Sequence, residues 1–84
     1  MPWDSVVYAL NLNDMEKQVY YMITIVDNGD VRIELGGNLE YLAFGLGKNI
    51  TKNLVIHAGI ARKYADLLKK KGITKFYIGF SFDF

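Results

Sequence analysis

The chain has 84 residues, of which 51% are hydrophobic, 14% aromatic and 23% charged, with a formal net charge of +1. This composition excludes a disordered or collagen-like chain, and the length predicts a single domain over residues 1–84. The lack of cysteine excludes a disulfide framework and a thiolate metal site. No apolar run approaches the roughly 18 residues of a membrane helix, and no signal-peptide pattern is present, so we expect a cytoplasmic protein with no membrane partner.

The first three predicted elements are strands. Apolar alternation over 5–13 predicts the first, and a run dense in β-branched and aromatic residues over 19–26 predicts the second. The Asn-Gly pair at 28–29 favours a type I′ turn, because both residues tolerate positive φ. Alternation over 31–35 then completes a hairpin.

Residues 39–46 allow two interpretations. The glycine pair at 36–37 ends the third strand. Beyond it, apolar residues recur at the i, i+3, i+4 and i+7 positions of a short helix, although a fourth strand is also open. These residues are Leu39, Leu42, Ala43 and Leu46.

A long amphipathic helix is predicted over 53–71, because apolar and small residues recur along one helical face. That face consists of Leu54, Ala58, Ala61, Ala65 and Leu68. Three lysines at 69–71 suit the negative end of the helix dipole, and Gly72 suits the left-handed C′ position.

Alternation over 76–84 predicts the last strand. After a crossover helix this strand would run parallel to an earlier strand, most simply the first. The predicted fold class is therefore α+β, a βββαβ order in which a three-strand antiparallel meander is followed by a long helix and a final strand.

Charge is unevenly distributed along the chain. Residues 1–40 carry seven acids and two bases, whereas residues 41–84 carry eight bases and two acids. This asymmetry predicts one basic surface, which could meet nucleic acid, an acidic protein or a second copy.

The predicted strands are apolar on both faces, but one helix covers only one face. An uncovered second face would be larger than the apolar patches that monomers tolerate. A second copy, another protein or residues 39–46 must cover this face, and we expect self-association, most simply as a homodimer. The predicted interface comprises Tyr20, Met22, Val26 and Tyr77.

Catalytic and metal sites are not predicted. His57 is the single histidine, and no serine or aspartate lies at a spacing that indicates a triad. The Gly-Leu-Gly-Lys stretch over 45–48 lacks the spacing of a phosphate-binding P-loop. We expect no enzyme activity, no cofactor and no metal.

The remaining candidate site is the loop before the predicted helix. Glycines and lysines there precede a helix start, whose free N–H groups and positive dipole end can bind phosphate. A flexible entry loop with solvated lysines is the alternative. With two basic residues of the helix, the predicted nucleic-acid surface comprises Gly45, Gly47, Lys48, Asn49, Lys52, Arg62 and Lys63.

Three stretches carry a family resemblance: Ile23–Asp27, Gly45–Lys52 and Ala58–Ile78. Their arrangement resembles the ribosomal-protein superfamily of the small-subunit platform protein and the large-subunit binder of 5S rRNA, and also the opening half of the ribonuclease H fold. The resemblance implies that Lys48, Asn49 and Lys52 contact RNA. The chain differs from the family in its near-neutral charge.

Two functions follow as hypotheses. The first is a non-enzymatic, self-associating module that binds RNA or DNA through its basic loop and helix. The second is a protein-interaction or inhibitor module, viral origin included, that docks through an apolar sheet face or edge.

Overall fold

The computed structural model describes residues 5–67, 69 and 72–82. It is all-β, with six antiparallel strands that close into a barrel. The strands are β1 (Ser5–Asn11), β2 (Glu16–Asp27), β3 (Val31–Gly37), β4 (Tyr41–Asn49), β5 (Leu54–Lys63) and β6 (Lys75–Phe82). A single 3₁₀ turn follows β5 at Tyr64–Asp66. Within the described ranges no helix is long and apolar enough to cross a membrane.

Each strand pairs with the next, and β6 returns to β1 over the four pairs from Tyr8–Phe80 to Asn11–Tyr77. The predicted parallel pairing of the last strand with the first is wrong, because no crossover helix precedes β6. Short antiparallel connections give an up-and-down order, and closure removes the open sheet edges.

The predicted hairpin of the second and third strands is confirmed, since β2 and β3 pair antiparallel around residues 28–30. Gly29 has φ of +92°, but among the described non-glycine residues only Met15 has positive φ. The turn is therefore not type I′. The Asn28 side-chain oxygen instead accepts hydrogen bonds from the Asp30 and Val31 N–H groups, at 3.0 and 2.9 Å.

The predicted helix over 53–71, and with it the α+β class, is wrong. Residues Leu54–Lys63 form β5, which pairs with β4 and β6 along its length. Small residues at 58, 59 and 61 suit both a helix face packed on a sheet and a strand of a narrow barrel. Their spacing alone therefore did not distinguish a helix from a strand. Gly72 has no helix to cap, and residues 68, 70 and 71 lie outside the described part of the chain.

The fourth-strand interpretation of residues 39–46 is confirmed, since Tyr41–Asn49 is β4. Its inward positions alternate strictly with outward ones, and the inward side chains are Tyr41, Ala43, Gly45 and Gly47. A six-stranded barrel is narrower than the eight-stranded barrels whose interiors side chains just fill. Inward glycines therefore make the room that the larger inward rings require.

Candidate functional site

The outside of the barrel is apolar on all six strands. We call this surface the outer wall. Because alternate residues of a strand point to opposite faces, its members follow from the strand register. They are Val6, Tyr8 and Leu10 on β1; Val19, Tyr21 and Ile23 on β2; Ile33 and Leu35 on β3; Leu42, Phe44 and Leu46 on β4; Ile56, Ala58 and Ile60 on β5; and Phe76, Ile78, Phe80 and Phe82 on β6.

Charged residues on outward strand positions lie at the margins of this wall. Lys17 and Arg62 stand near the end that holds the β1–β2 turn, which we call the Asp14 end. Lys48 stands near the opposite, Asn28 end, where its ammonium lies 3.3 Å from Asp30. The molecule measures 39 Å in its longest dimension and 20 to 23 Å across. An apolar band between two polar ends is the result.

The barrel interior contains polar and charged side chains as well as apolar ones. Buried side chains include Asn11, Glu34, His57 and Ser81, with three tyrosine rings. We call these groups the polar column, together with Arg32 at one end and Lys75 at the other. Its three tyrosines are Tyr20, Tyr41 and Tyr77. Apolar inward residues fill the space around them and comprise Val7, Ala9, Met22, Ala43, Val55 and Ala61.

A serine, a histidine and a glutamate meet in the column near the Asn28 end. His57 Nδ1 lies 2.5 Å from Glu34 Oε1, and His57 Nε2 lies 2.7 Å from Ser81 Oγ. The order matches a Ser-His-acid triad. All three residues are at most 1% exposed, so a substrate has no access to Ser81 and the arrangement does not support hydrolysis.

Arg32 closes the column at the Asn28 end. Its guanidinium donates to Asn49 Oδ1 at 2.6 Å and to Ser5 Oγ at 3.4 Å. Its aliphatic stem lies against Gly47, beside the Glu34 carboxylate, since a Cβ at Gly47 would meet both side chains. Glycine at position 47 thus permits the close packing of two inward polar side chains from β3.

Tyrosines occupy the middle of the column. Tyr20 donates a hydrogen bond of 2.7 Å to Asn11 Oδ1 and packs edge-on against Tyr77, with ring centroids 5.0 Å apart. Burial raises the pKa of Tyr20 to about 12, partly opposed by the Asn11 hydrogen bond. Burial and the nearby Glu34 also raise the pKa of Tyr77 well above its usual value.

Lys75 closes the column at the Asp14 end. Its ammonium pairs with Asp14 and donates to the Tyr41 hydroxyl at 2.9 Å. The hydrogen bond from Lys75 lowers the pKa of the Asp14 carboxyl, and the same contact raises the pKa of Lys75. Polar side chains therefore extend through the barrel from one end to the other.

In the middle of the polar column, three buried atoms make no hydrogen bond to the protein within the described residues. They are Asn11 Nδ2, Glu34 Oε2 and the Tyr77 hydroxyl. Buried polar groups are nearly always paired with protein or with ordered water. The middle of the column therefore has unused hydrogen-bonding capacity.

The predicted nucleic-acid residues do not form one surface. Lys48, Asn49 and Lys52 lie at the Asn28 end, whereas Arg62 and Lys63 lie at the Asp14 end. Gly45 and Gly47 face the interior. Lys63 also pairs with Glu40 at 3.4 Å, and Asn49 is engaged by Arg32.

Three of the four predicted interface residues lie inside the barrel. Tyr20, Met22 and Tyr77 are at most 2% exposed, so a second copy cannot reach them, and only Val26 is on the surface. The prediction took the inner face of the sheet for an open face. Barrel closure covers that face, and the outer wall is the exposed one.

Sequence analysis missed the polar cluster because its members are far apart in the chain. Glu34 and His57 are 23 residues apart, and His57 and Ser81 are 24 apart. The available signal was the alternation itself: polar or small residues at 57, 59 and 61 alternate with apolar ones at 56, 58 and 60. Such a pattern places polar groups inside when the sheet closes.

Alkaline pH is expected to destabilise the barrel. A folded-state pKa raised above the ordinary 10.0 favours the neutral phenol in the folded state. This stabilisation is complete below pH 10 and is lost as pH rises towards about 12 for Tyr20, and the raised pKa of Tyr77 acts in the same direction. The measurement is the free energy of unfolding across this range, followed with phenolate absorbance.

A double variant, Tyr20→Phe with Tyr77→Phe, provides the control for the alkaline transition. It should be less stable at neutral pH by about 1 kcal/mol, because Asn11 loses its donor. Its stability should then change much less between pH 10 and 12. If the double variant loses stability between pH 10 and 12 as steeply as the wild type, groups other than these tyrosines cause the alkaline destabilisation.

No protein-family model, curated protein or solved structure matches this chain.

Proposed function

We propose that this protein is a membrane-embedded β-barrel whose outer wall faces the lipid chains. The observation that carries the proposal is the distribution of polarity: large apolar side chains lie outside on every strand, whereas the interior holds buried polar and charged side chains beside its apolar ones. Barrels that span membranes alternate apolar-out and polar-in along each strand. The cytoplasmic location expected from the sequence is the alternative to this proposal.

The dimensions and charges support the same proposal. A bilayer is about 30 Å thick in its hydrocarbon core and about 40–45 Å with its headgroups, close to the 39 Å length of the molecule. Lys17, Lys48 and Arg62 stand at the margins of the wall, where their charges would reach the headgroup region. A closed barrel also leaves no unpaired sheet edge in lipid.

A protein partner explains the wall less well. One copy or one partner docks on one side of the barrel. Exposed large apolar residues occur on opposite sides, such as Tyr21 on β2 against Ile60 on β5, and Phe44 on β4 against Tyr8 on β1. Each fully exposed large side chain forgoes roughly 1.5–3 kcal/mol. Lipid can surround the whole circumference.

A filled interior argues against a solute channel. Tyr20, Tyr41 and Tyr77 are almost fully buried and pack edge-on across the barrel, with centroids 5.0 and 6.2 Å apart. Inward glycines bring the rings close to the backbone: a Cβ at Gly59 would lie 2.9 Å from the Tyr77 hydroxyl. The proposed role is therefore that of a membrane anchor closed to solutes.

Flotation with phospholipid vesicles tests this function. We expect the refolded protein to float with the vesicles, to show β-sheet circular dichroism there, and to resist extraction by 1 M salt. At about 1 M salt the Debye length is near 3 Å, so electrostatic attachment is largely removed. Extraction by salt, or a stable folded monomer in buffer without lipid or detergent, would contradict the proposal.

The same experiment separates the earlier hypotheses. A surface that binds nucleic acid predicts release from anionic vesicles at high salt and binding to an RNA oligomer, with affinity that falls steeply as salt rises. Nucleic-acid binding stays a prediction, to be measured on the protein in detergent beside the flotation.

A further inference from the structure

We propose that a groove in the outer wall binds one anionic phospholipid, with the headgroup on Lys17 and an acyl chain along the groove. The inference rests on the proposed membrane location and adds a lipid class to it. Its first observation is an open groove of about 690 Å³ on the outside of β1, β2, β5 and β6, which we call the Lys17 groove. Small-molecule sites have volumes of about 300–1,000 Å³. Its second observation is that Lys17, at one end of this groove, has a free ammonium group.

The strand register forms the Lys17 groove. Two rows of outward side chains cross the strands next to each other. One row runs from Lys17 on β2 through Leu10 on β1 to Ile78 on β6. The other runs from β2 to β5 and consists of Val19, Tyr8, Phe80 and Ile56. The residues between the rows point into the barrel, so the floor of the groove is backbone, at Ala9 and Gly79 among others.

The groove slants from the margin of the outer wall towards its middle. Lys17 and Val19 lie at the Asp14 end of β2, whereas Ile56 lies near the Asn28 end of β5. Barrel strands tilt by about 35–45° from the barrel axis, so a row of paired residues descends as it passes from strand to strand. Three strand spacings of about 4.8 Å make the groove roughly 14 Å long. An acyl chain with its headgroup at the margin would therefore follow the groove into the hydrocarbon region.

Lys17 supplies the positive charge for the headgroup. Its side chain is exposed and makes no ion pair within the part of the chain that the structure describes. The two acids that precede it are engaged elsewhere. Asp14 pairs with Lys75, and the Glu16 carboxylate accepts a hydrogen bond from the Gln18 amide. A lysine at the membrane margin attracts anionic lipids, and its ammonium can donate hydrogen bonds to phosphate oxygens.

A second groove of about 900 Å³ shows what the Lys17 groove has in addition. It lies on β2, β3 and β4 and is apolar as well, but the charged residue among its described lining residues is Glu40, after which we name it the Glu40 groove. The Glu40 carboxylate pairs with Lys63 and would repel an anionic headgroup. The preference for an anionic lipid is therefore assigned to the Lys17 groove.

Native mass spectrometry of the protein in detergent tests the site. A phosphatidylglycerol and a phosphatidylcholine with the same acyl chains are added in equal amounts, so that the lipids differ in headgroup charge alone. We expect one phosphatidylglycerol per protein to be retained in preference to phosphatidylcholine. Lys17→Gln should lower this preference about fivefold, the effect of one lysine on an anionic lipid.

Lys48→Gln is the matched control for charge. It removes the same charge from an outward, exposed lysine at the opposite margin of the wall, and it should leave the lipid preference unchanged. Leu10→Trp and Leu42→Trp compare the two grooves, because each leucine lines one of them. A tryptophan at position 10 narrows the Lys17 groove and should reduce the retained phosphatidylglycerol, whereas a tryptophan at position 42 should not.

Flotation with vesicles separates this proposal from the membrane location. If the protein floats, three results would each overturn the lipid site alone: equal retention of the two lipids, equal loss of preference in Lys17→Gln and Lys48→Gln, or full retention by Leu10→Trp. Protein that does not float would overturn the membrane location and the lipid site together.

Discussion

We expect Phe44→Lys to destabilise the lipid-embedded barrel by about 2–4 kcal/mol, the cost of a lysine on the lipid face near the bilayer midplane. Phe44 lies in the middle of β4, between Leu35 and Ile60 on the neighbouring strands, and is 46% exposed. The free energy of unfolding in vesicles, from reversible urea titration, measures the effect.

Ile50→Lys is the matched control. Ile50 follows β4 in the turn at the Asn28 end and is 50% exposed, close to the 46% of Phe44. A lysine near the interface should cost about 0–1 kcal/mol. In a water-soluble barrel both residues would lie on the surface, and each substitution would change the free energy of unfolding by about 0.5 kcal/mol or less. Two small and equal effects would therefore contradict the membrane location.

Gly59→Val is expected to have the second large effect. It should lower the free energy of unfolding by about 3 kcal/mol or more, the upper end of what overpacking a core costs. A Cβ at this inward position would lie 2.5 Å from the Gly45 Cα and closer still to the Phe44 carbonyl oxygen. These are backbone atoms of the paired strand, which cannot move without separating β4 from β5. Thermal or urea unfolding measures the loss.

Ala58→Val is the control for this substitution. Ala58 is the preceding residue of β5, points outward between Leu46 and Ile78, and is exposed. The added methyl groups should change stability by about 0.5 kcal/mol or less. In the helix first predicted for this segment, Gly59→Val would be tolerated, because valine has a higher helix propensity than glycine. A harmless Gly59→Val would thus contradict the barrel.

Most of the strands could be predicted from the sequence, because their signals are local. Residues 5–13, 19–26, 31–35 and 76–84 show the alternation or β-branched content of strands, and described strands cover most of each range. The glycine pair at 36–37 does end β3. These outcomes depend on neighbouring residues only.

The wrongly predicted helix shows which part of the fold local sequence patterns do not predict. In β5 the outward residues Ile56, Ala58 and Ile60 are apolar. The inward Gly59 and Ala61 are small, and a Cβ at Gly59 would already meet the Gly45 backbone and the Tyr77 hydroxyl of the neighbouring strands. Ala58 and Ala61 thus lie on opposite faces of the strand, although they share a helix face. Only pairing with β4 and β6 distinguishes the two, and this pairing joins residues far apart in sequence.

By itself, the sequence determined a cysteine-free chain rich in strands, with an apolar surface too large for one helix to cover. Barrel closure decided which face of the sheet is exposed. Side chains alternate between the two faces, so the pairing of β6 with β1 placed Tyr20, Met22 and Tyr77 inside. Phe44 and Phe80 remained outside. The same closure assembled Glu34, His57 and Ser81 from three strands. Neither result follows from local periodicity, since both depend on which strands meet.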